Sequence, residues 1–299
     1  MILIIVLLLP KDIIAGYQEG VSAYQKGDYL IALKELRPLA EKGNPESQFR
    51  LGQMYLLGKG IQQENVKAFF WYKKAAEQGF EQAQVMQGIL YAQGKGVLQN
   101  YKQAILLFLK TAQKGNDVAQ YHLGTMYETG KGTQADNSTA FRWYEKAAEQ
   151  GHIKAQWAIG NFYYQGKGVP QNYQKAFQWY LKVAKVGNVK VQCNVGVMYL
   201  SGLGVTPNFK ETFKWLQKAA RSGLSEAQYR LGVMYSSALG VPKNLYVSYA
   251  WIDVATRQGH KEALMIRDNM LPHLMTPVQI NEAKKLADEY WKKYVEANL

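Results

Sequence analysis

The chain has 299 residues, a formal net charge of +13 at neutral pH and a single cysteine. The lone Cys193 excludes an internal disulfide, and a cysteine in this setting is more often a small apolar filler than a nucleophile. Nucleic-acid binding would need basic residues gathered on one face between stacking aromatics; here Lys73 and Lys146 stand beside Glu77 and Glu145, so we expect a solvated face and no nucleic-acid partner.

An uninterrupted apolar run, Ile2 to Leu9, is the first predicted element. It is too short to span a bilayer, but a run followed by polar residues fits the core of a secretion signal, with Ala15 as the cleavage position. Two features oppose a signal: no Lys or Arg precedes the run, and Ile13 is bulky where a small residue is preferred. We expect residues 1–15 to be a signal peptide, with a first helix packed on the rest of the chain as the alternative.

Residues 16–45 predict a helical hairpin with a short turn. Its apolar and small residues are Tyr24, Gly27, Ala32, Leu36, Leu39, Ala40 and Gly43. We expect this hairpin to cap the array that follows by covering the apolar face of its first unit.

A 36-residue repeat fills residues 46–261 in six copies. A glycine closes a short polar turn in every copy, at Gly60, Gly96, Gly132, Gly168, Gly204 and Gly240. A fixed period of this length predicts a stack of identical supersecondary units rather than one globular core. We therefore interpret the chain as one elongated domain without a linker.

Each repeat predicts two helices. In the second helix, Ala68, Trp71 and Tyr72 and their equivalents lie on one stripe of an α-helix. Glu64 stands at the N-cap position of the first copy. The other copies have good N-cap residues there, at Asn100, Asp136, Asn172, Asn208 and Asn244.

The first helix of every copy contains a glycine, at Gly52, Gly88, Gly124, Gly160, Gly196 and Gly232. A glycine inside a helix costs about 1 kcal/mol relative to Ala, so its recurrence implies a gain elsewhere. We expect the missing side chain to let the neighbouring helix approach closely.

Residues 262–299 predict C-terminal capping helices. Thr276 followed by Pro277 is a helix start. The helix that follows directs Lys284, Lys285, Lys292 and Lys293 toward water. It directs an apolar set toward the stack, namely Ile280, Ala283, Leu286, Ala287, Trp291 and Tyr294.

Longer segments also recur, among them Leu123-Gly124-Thr125-Met126-Tyr127, Gly166-Lys167-Gly168-Val169-Pro170-Gln171-Asn172-Tyr173 and Trp143-Tyr144-Glu145-Lys146-Ala147-Ala148-Glu149-Gln150-Gly151. They resemble the Sel-one-like repeat, a relative of the tetratricopeptide repeat. The resemblance implies an all-α fold, a right-handed superhelical α-solenoid of antiparallel helix pairs. It also implies a non-enzymatic scaffold that binds other proteins, often in the periplasm or secreted fraction of bacteria.

The geometry implied by this resemblance places a partner-binding groove on the first helices, at positions that the repeat does not fix. The candidate groove residues are Phe49, Gln53, Tyr121, Thr125, Glu128, Trp157, Asn161, Tyr164 and Tyr229. Aromatic anchors with a few amides and hydroxyls suit an extended peptide or a helix. The alternative is that Phe49, Tyr121, Trp157 and Tyr229 are half-buried packing between adjacent repeats.

No residue pattern predicts catalysis, a metal site or a cofactor. His152 and His260 share a variable turn column, which predicts surface positions. An enzyme that modifies cell-wall or envelope polymer, or its adaptor, would be the second candidate class, but it needs paired acids facing one cavity, and Glu128 has no acidic equivalent in its column.

We therefore expect an exported scaffold for a protein or peptide in the bacterial periplasm or outside the cell. The net charge biases the partner toward acidic proteins and favours weak association with anionic envelope components. A cytosolic regulatory adaptor is the alternative if residues 1–15 are retained.

Overall fold

The computed structural model describes the backbone of residues 11–298 and the side chains of residues 15–298. These residues form sixteen α-helices, two 3-10 turns and no β-strand, which confirms the predicted all-α class. The first eight helices are α1 (Lys11–Lys26), α2 (Tyr29–Glu41), α3 (Pro45–Leu57), α4 (Asn65–Glu77), α5 (Glu81–Gln93), α6 (Tyr101–Ala112), α7 (Asp117–Thr129) and α8 (Asn137–Glu149). The remaining eight are α9 (Ile153–Gln165), α10 (Tyr173–Lys185), α11 (Val189–Ser201), α12 (Phe209–Arg221), α13 (Ser225–Ser236), α14 (Leu245–Arg257), α15 (Lys261–Asn269) and α16 (Pro277–Tyr294), with 3-10 turns at Leu271–His273 and Glu296–Asn298.

The chain divides into two compact units, with the boundary between His152 and Ile153. In the first unit, α1 to α8 pack as consecutive pairs, and the second helix of each pair also contacts the first helix of the next. In the second unit, α9 to α14 pack in the same way, and α16 packs against α14. The described helices therefore follow the pairwise, nearest-neighbour arrangement that a repeat array requires.

The glycine inside each first helix lies against a large side chain of the second helix of its own pair. A Cβ atom built on Gly124 would lie 2.5 Å from Cδ1 of Tyr144, and one built on Gly160 would lie 2.6 Å from Cε1 of Tyr180. The six opposing side chains are Tyr72, Phe108, Tyr144, Tyr180, Leu216 and Ile252. Only hydrogen fits at such a distance, so the predicted close approach of the two helices is confirmed.

The turn glycines hold the start of the preceding second helix at close range. A Cβ atom on Gly96 would overlap the carbonyl oxygen of Asn65, and one on Gly204 would overlap that of Tyr173. Both glycines also have positive φ, +71° and +74°, which L side chains adopt at a cost. The strict 36-residue recurrence of this glycine thus has a steric cause at the contact between successive repeats.

Buried glutamines of the first helices α3, α5, α7, α11 and α13 bond to the end of the helix before them. Nε2 of Gln84 donates to the carbonyl oxygen of Ala76 at 3.0 Å, and Nε2 of Gln192 donates to that of Ala184 at 3.1 Å. Gln48, Gln120 and Gln228 make the equivalent bonds. The last carbonyls of a helix have no partner within it, so these buried amides satisfy groups that would otherwise be costly to bury.

The predicted helix caps are present. The Oδ1 atom of Asn172 accepts from the backbone N–H of Lys175 at 2.9 Å, and Asn100, Asp136, Asn208 and Asn244 form similar caps. Glu64 makes no side-chain cap bond, as its residue type leads one to expect. Thr276 forms a capping box with Gln279 at the start of α16.

The C-terminal helix α16 buries its apolar residues and exposes its lysines, as the sequence predicted. In α16, Ala283 and Ala287 are buried and Ile280, Leu286, Trp291 and Tyr294 are half-buried, whereas the four lysines are exposed.

The apolar run of the predicted signal peptide lies outside the described residues. Ala15, the predicted cleavage position, lies within α1. Within residues 11–298, no helix combines the length and the apolar character needed to cross a membrane.

Candidate functional site

The first helices of the second unit enclose a cleft. Its walls come from α9 and α13 and its floor from α11, and its volume is about 320 Å³. Asn161 and Tyr164 of the predicted groove line this cleft. A second cavity of about 480 Å³ adjoins it and is lined by Trp157. Cys193, Asn194 and Glu226 line both spaces, so we treat them as one site, the α9–α13 cleft.

Two aromatic side chains of α9 are open to solvent at this cleft. Trp157 is 46% exposed and Tyr164 is 37% exposed. The Tyr164 ring lies 5.2 Å from that of Tyr173 and 6.3 Å from that of Tyr180, which supports it from behind. Within the described side chains, no aromatic ring packs against Trp157. Of the nine predicted groove residues, these two present the most apolar surface to a partner.

The polar residues of the predicted groove contact tyrosines of the second helices. The Tyr180 hydroxyl donates to Oδ1 of Asn161 at 2.6 Å. The Tyr144 hydroxyl donates to Oε2 of Glu128 at 2.7 Å and lies 3.2 Å from Oγ1 of Thr125. Burial raises the pKa of both tyrosines well above the ordinary value. These groove residues therefore already serve the packing of their own helix pair.

This pairing follows a rule across the six copies. Where the second helix has Tyr opposite the glycine, the residue that directly follows the glycine in the first helix is polar. Where the second helix has Phe, Leu or Ile, that residue is apolar. The pairs are Tyr72 with Gln53, Phe108 with Ile89, Tyr144 with Thr125, Tyr180 with Asn161, Leu216 with Val197 and Ile252 with Val233. A buried hydroxyl needs a partner, and this covariation was the sequence signal that could have identified the polar column as structural.

Gln53 is the exception within this rule. Its Oε1 accepts from Nη1 of Arg50 at 3.0 Å. The Tyr72 hydroxyl is buried and has no hydrogen-bond partner among the described residues. The first pair of the array is thus the least well satisfied of the three pairs that contain Tyr.

The other aromatic groove residues are half-buried and packed on neighbouring rings. Phe49 lies 5.3 Å from Phe80 between ring centroids, and the Tyr121 ring stacks on His152 at 4.7 Å. Tyr229 stacks on His260 at 4.6 Å. Phe49, Tyr121 and Tyr229 are therefore half-buried, as the packing alternative expected, whereas Trp157 is exposed. A role of any of these four residues in binding stays a prediction.

His260 is not a surface residue, which corrects the sequence prediction. Its side chain is only 9% exposed, and its Nε2 lies 2.8 Å from Oε2 of Glu226. Its Nδ1 lies 3.3 Å from the backbone nitrogen of Ala263, at the start of α15. Comparison of equivalent repeat positions could not reveal this contact. Glu226 and His260 are 34 residues apart, and the pair occurs in one copy.

Glu226 and Arg230 form the α13 wall of the cleft. They pair with each other one turn apart on the helix. Burial alone raises the pKa of the Glu226 carboxyl, but hydrogen bonds from His260 and Arg230 outweigh it, so the pKa lies below its ordinary value. The carboxylate is held by these two neighbours, and the wall it forms is polar but charge-compensated.

Cys193 forms the floor and is 3% exposed. Burial raises the pKa of its thiol to about 11, so the sulfur is protonated at neutral pH and is a poor nucleophile. In the part of the chain with described side chains, no group of three His, Cys, Asp or Glu residues could hold a metal ion. The site offers shape, aromatic surface and hydrogen-bonding groups.

The repeat pattern matches a known family. The Sel1 repeat model matches residues 45–80, 82–116, 117–152, 153–188, 189–224 and 225–260, close to the predicted copies. No curated protein matches the chain.

Two solved structures share the fold. A Sel1 repeat protein from Oxalobacter formigenes is 33% identical with a TM-score of 0.71, over 81% of this chain and 99% of that one. The protein c5321, a protective antigen of uropathogenic Escherichia coli strains with an SLR fold, is 30% identical with a TM-score of 0.60, over 95% of this chain and 69% of that one. Six matched repeats and these two structures, together with the glycine-spaced helix pairs, show that the chain is an α-solenoid repeat protein of the Sel1 repeat family, whose fold is typical of protein–protein interaction scaffolds.

Proposed function

We propose that this protein is a non-enzymatic scaffold that binds a segment of another protein in the α9–α13 cleft. The observation that carries the proposal is the exposure of Trp157 and Tyr164 beside a cleft of about 320 Å³. Large aromatic side chains at the edge of a concave, partly apolar space are typical of binding hot spots, because they gain contact area at low entropic cost.

Asn161, a candidate groove residue that lines this cleft, supports the assignment indirectly. It is held by the Tyr180 hydroxyl, so its side chain is preorganised rather than free. Preorganisation lowers the entropic cost of binding. A partner in the α9–α13 cleft would meet this fixed amide beside the aromatic side chains of Trp157 and Tyr164.

The test is selection of ligands from a displayed library of random peptides on the immobilised protein. Peptides enriched on the native protein should lose binding to a Trp157→Ala/Tyr164→Ala double variant whose melting temperature is unchanged. Phe70→Ala is the matched control, because Phe70 is 47% exposed on the second helix α4 and is not a residue that lines the cleft. Enriched peptides that bind the double variant as well as the native protein would contradict the proposal.

The proposal also includes export to the bacterial periplasm or secretion. It is supported by the apolar run Ile2 to Leu9 and the polar residues that follow it. Mass spectrometry of the mature protein from periplasm and culture fluid should find Gly16 as the first residue. A mature protein that retains residues 1–15 would favour a cytosolic adaptor instead.

A further inference from the structure

The α9–α13 cleft exists because one column of the repeat contains a small residue at Cys193. The equivalent positions in the other copies are Phe49, Val85, Tyr121, Trp157 and Tyr229. At Tyr121 and Tyr229 the space beside the helix is filled by a stacked ring, His152 or His260. Cys193 has a short side chain and its turn neighbour is Leu224, so cavities of about 320 and 480 Å³ lie on its two sides.

The space above Cys193 is suited to a large apolar side chain. The two volumes fall in the range of about 300–1,000 Å³ that holds small ligands in proteins. One side of the larger cavity is the Trp157 indole, which has no ring packed on it among the described side chains. An aromatic side chain of a partner would supply the ring-on-ring packing that Phe49, Tyr121 and Tyr229 make within the chain.

The unpaired charge that lines this cleft, Lys190, is positive, and so is Lys154 in the first turn of α9 before Trp157. Lys154 and Lys190 are exposed, each one turn before Trp157 and Cys193, and Lys190 lines the larger cavity. Neither lysine lies within ion-pairing distance of a carboxylate in the part of the chain with described side chains. The acidic residue at the site, Glu226, is already engaged by Arg230 and His260.

We infer that the α9–α13 cleft recognises an acidic linear segment of a partner protein that inserts one aromatic side chain above Cys193, an inference that rests on the proposed function. The aromatic residue supplies buried apolar contact, and the acidic residues on either side face Lys154 and Lys190. Exposed charge pairs contribute little affinity each, but they select between partners and accelerate association.

Short labelled peptides test this inference by fluorescence anisotropy. The probes carry a Trp between Asp residues, an Ala between Asp residues, or a Trp between Lys residues. The Trp–Asp peptide should bind about 10-fold more tightly than either of the others, equivalent to about 1.4 kcal/mol. Its affinity should fall as salt is raised, because exposed charges are screened.

Charge reversal at the cleft provides the decisive variant. Lys154→Glu/Lys190→Glu should weaken the Trp–Asp peptide about 10-fold and strengthen the Trp–Lys peptide. Lys102→Glu/Lys110→Glu is the control, since it makes the same change in net charge at exposed positions of α6. Equal weakening by both variants would show a general charge effect and would overturn the inference.

Filling the cavity tests the aromatic insertion separately. Cys193→Phe should abolish the advantage of the Trp–Asp peptide over the Ala–Asp peptide, whereas Cys193→Val, which copies Val85, should retain it. Circular dichroism checks that both variants fold, and the charge-reversal experiment does not depend on them. An unchanged advantage in a folded Cys193→Phe variant would overturn the inference.

The outcomes separate this inference from the proposed function. Equal binding of the Trp–Asp and Trp–Lys peptides, lost in Trp157→Ala/Tyr164→Ala, would overturn the acidic preference and leave the scaffold proposal intact. Binding that persists in that double variant would overturn both. If none of the three peptides binds, the inference is overturned, and the library selection still decides the proposed function.

Discussion

The hydroxyl of a buried tyrosine in the second helix is hydrogen-bonded only where the facing first helix offers it an acceptor. Tyr180 has Asn161 and Tyr144 has Glu128, at 2.6 and 2.7 Å. Tyr72 occupies the same position without a partner in the described residues. An unsatisfied buried hydroxyl costs about 1–3 kcal/mol, so the three tyrosines should respond differently to loss of the hydroxyl.

We predict different effects of Tyr→Phe on stability at two equivalent positions. Tyr180→Phe should lower the free energy of unfolding by about 1 kcal/mol, because it removes a hydrogen bond. Tyr72→Phe should leave it unchanged or raise it, because it removes an unsatisfied hydroxyl. Urea unfolding of both variants measures the difference. A loss at Tyr72 equal to that at Tyr180 would mean that the Tyr72 hydroxyl has a partner.

The cap at Asp136 predicts a pH effect. The pKa of Asp136 lies below its ordinary value because the carboxylate accepts hydrogen bonds from the Thr139 hydroxyl and from the backbone N–H groups of Thr139 and Ser138. The unfolded state therefore binds a proton more readily than the folded state. The stabilisation by this cap is complete above the ordinary Asp pKa and is lost as pH falls through the lowered value.

Asp136→Asn provides the test, because Asn172 and Asn208 cap the same helix position without titrating. Between about pH 7 and about pH 3, the melting temperature should fall further in the native protein than in the variant. Differential scanning calorimetry at the two pH values measures this. Equal falls would show that the Asp136 cap does not contribute to acid sensitivity.

At the scale of the helix pair, packing depends on one glycine and the side chain above it. The sequence alone predicted the position of this glycine, the helix caps and the buried stripe, because each recurs at the same place in every copy. It did not predict which groove residues are exposed. Trp157 and Tyr121 share a column, yet Tyr121 is covered by His152 while Trp157 is open.

The reason lies in contacts between columns. Whether a first-helix residue is free depends on the residue that faces it from another helix or turn, and this partner changes from copy to copy. The pairing of Asn161 with Tyr180 leaves a covariation in the sequence, whereas the pairing of Glu226 with His260 occurs once. Cys193 became part of the site because it is small, and a single small residue carries no periodic signal.

We predict that Ala substitutions of two equivalent glycines differ in cost. Ala at Gly160 would place its Cβ 2.6 Å from the rigid ring of Tyr180, whereas Ala at Gly196 would place it 3.0 Å from Cγ of the more adaptable Leu216. Ala gains about 1 kcal/mol in helix propensity at both sites, and overpacking costs about 1–3 kcal/mol. Gly160→Ala should therefore be less stable than Gly196→Ala by about 1–2 kcal/mol in urea unfolding. Equal stabilities would mean that the Tyr180 helix can move aside freely.

At the scale of the whole molecule, the same three contacts recur in each unit: a glycine beneath a large side chain, a turn glycine against the preceding helix, and a buried glutamine on a helix-end carbonyl. Each joins elements that are close in sequence. Stability built in this way is approximately a sum of repeat terms and nearest-neighbour terms. Damage to one repeat should therefore stay local before the chain unfolds.

Gly52→Val tests this locality. A Cβ atom at Gly52 would lie 2.9 Å from Cδ1 of Tyr72, and Val adds two further methyl groups. Hydrogen exchange under native conditions should accelerate in α3 and α4, which lose their close contact, and remain unchanged in α13 and α14. Phe70→Ala, an exposed change on α4, should leave exchange in all four helices unaltered. Equal acceleration in α3, α4, α13 and α14 would instead indicate a single cooperative core, in which no repeat opens without the others.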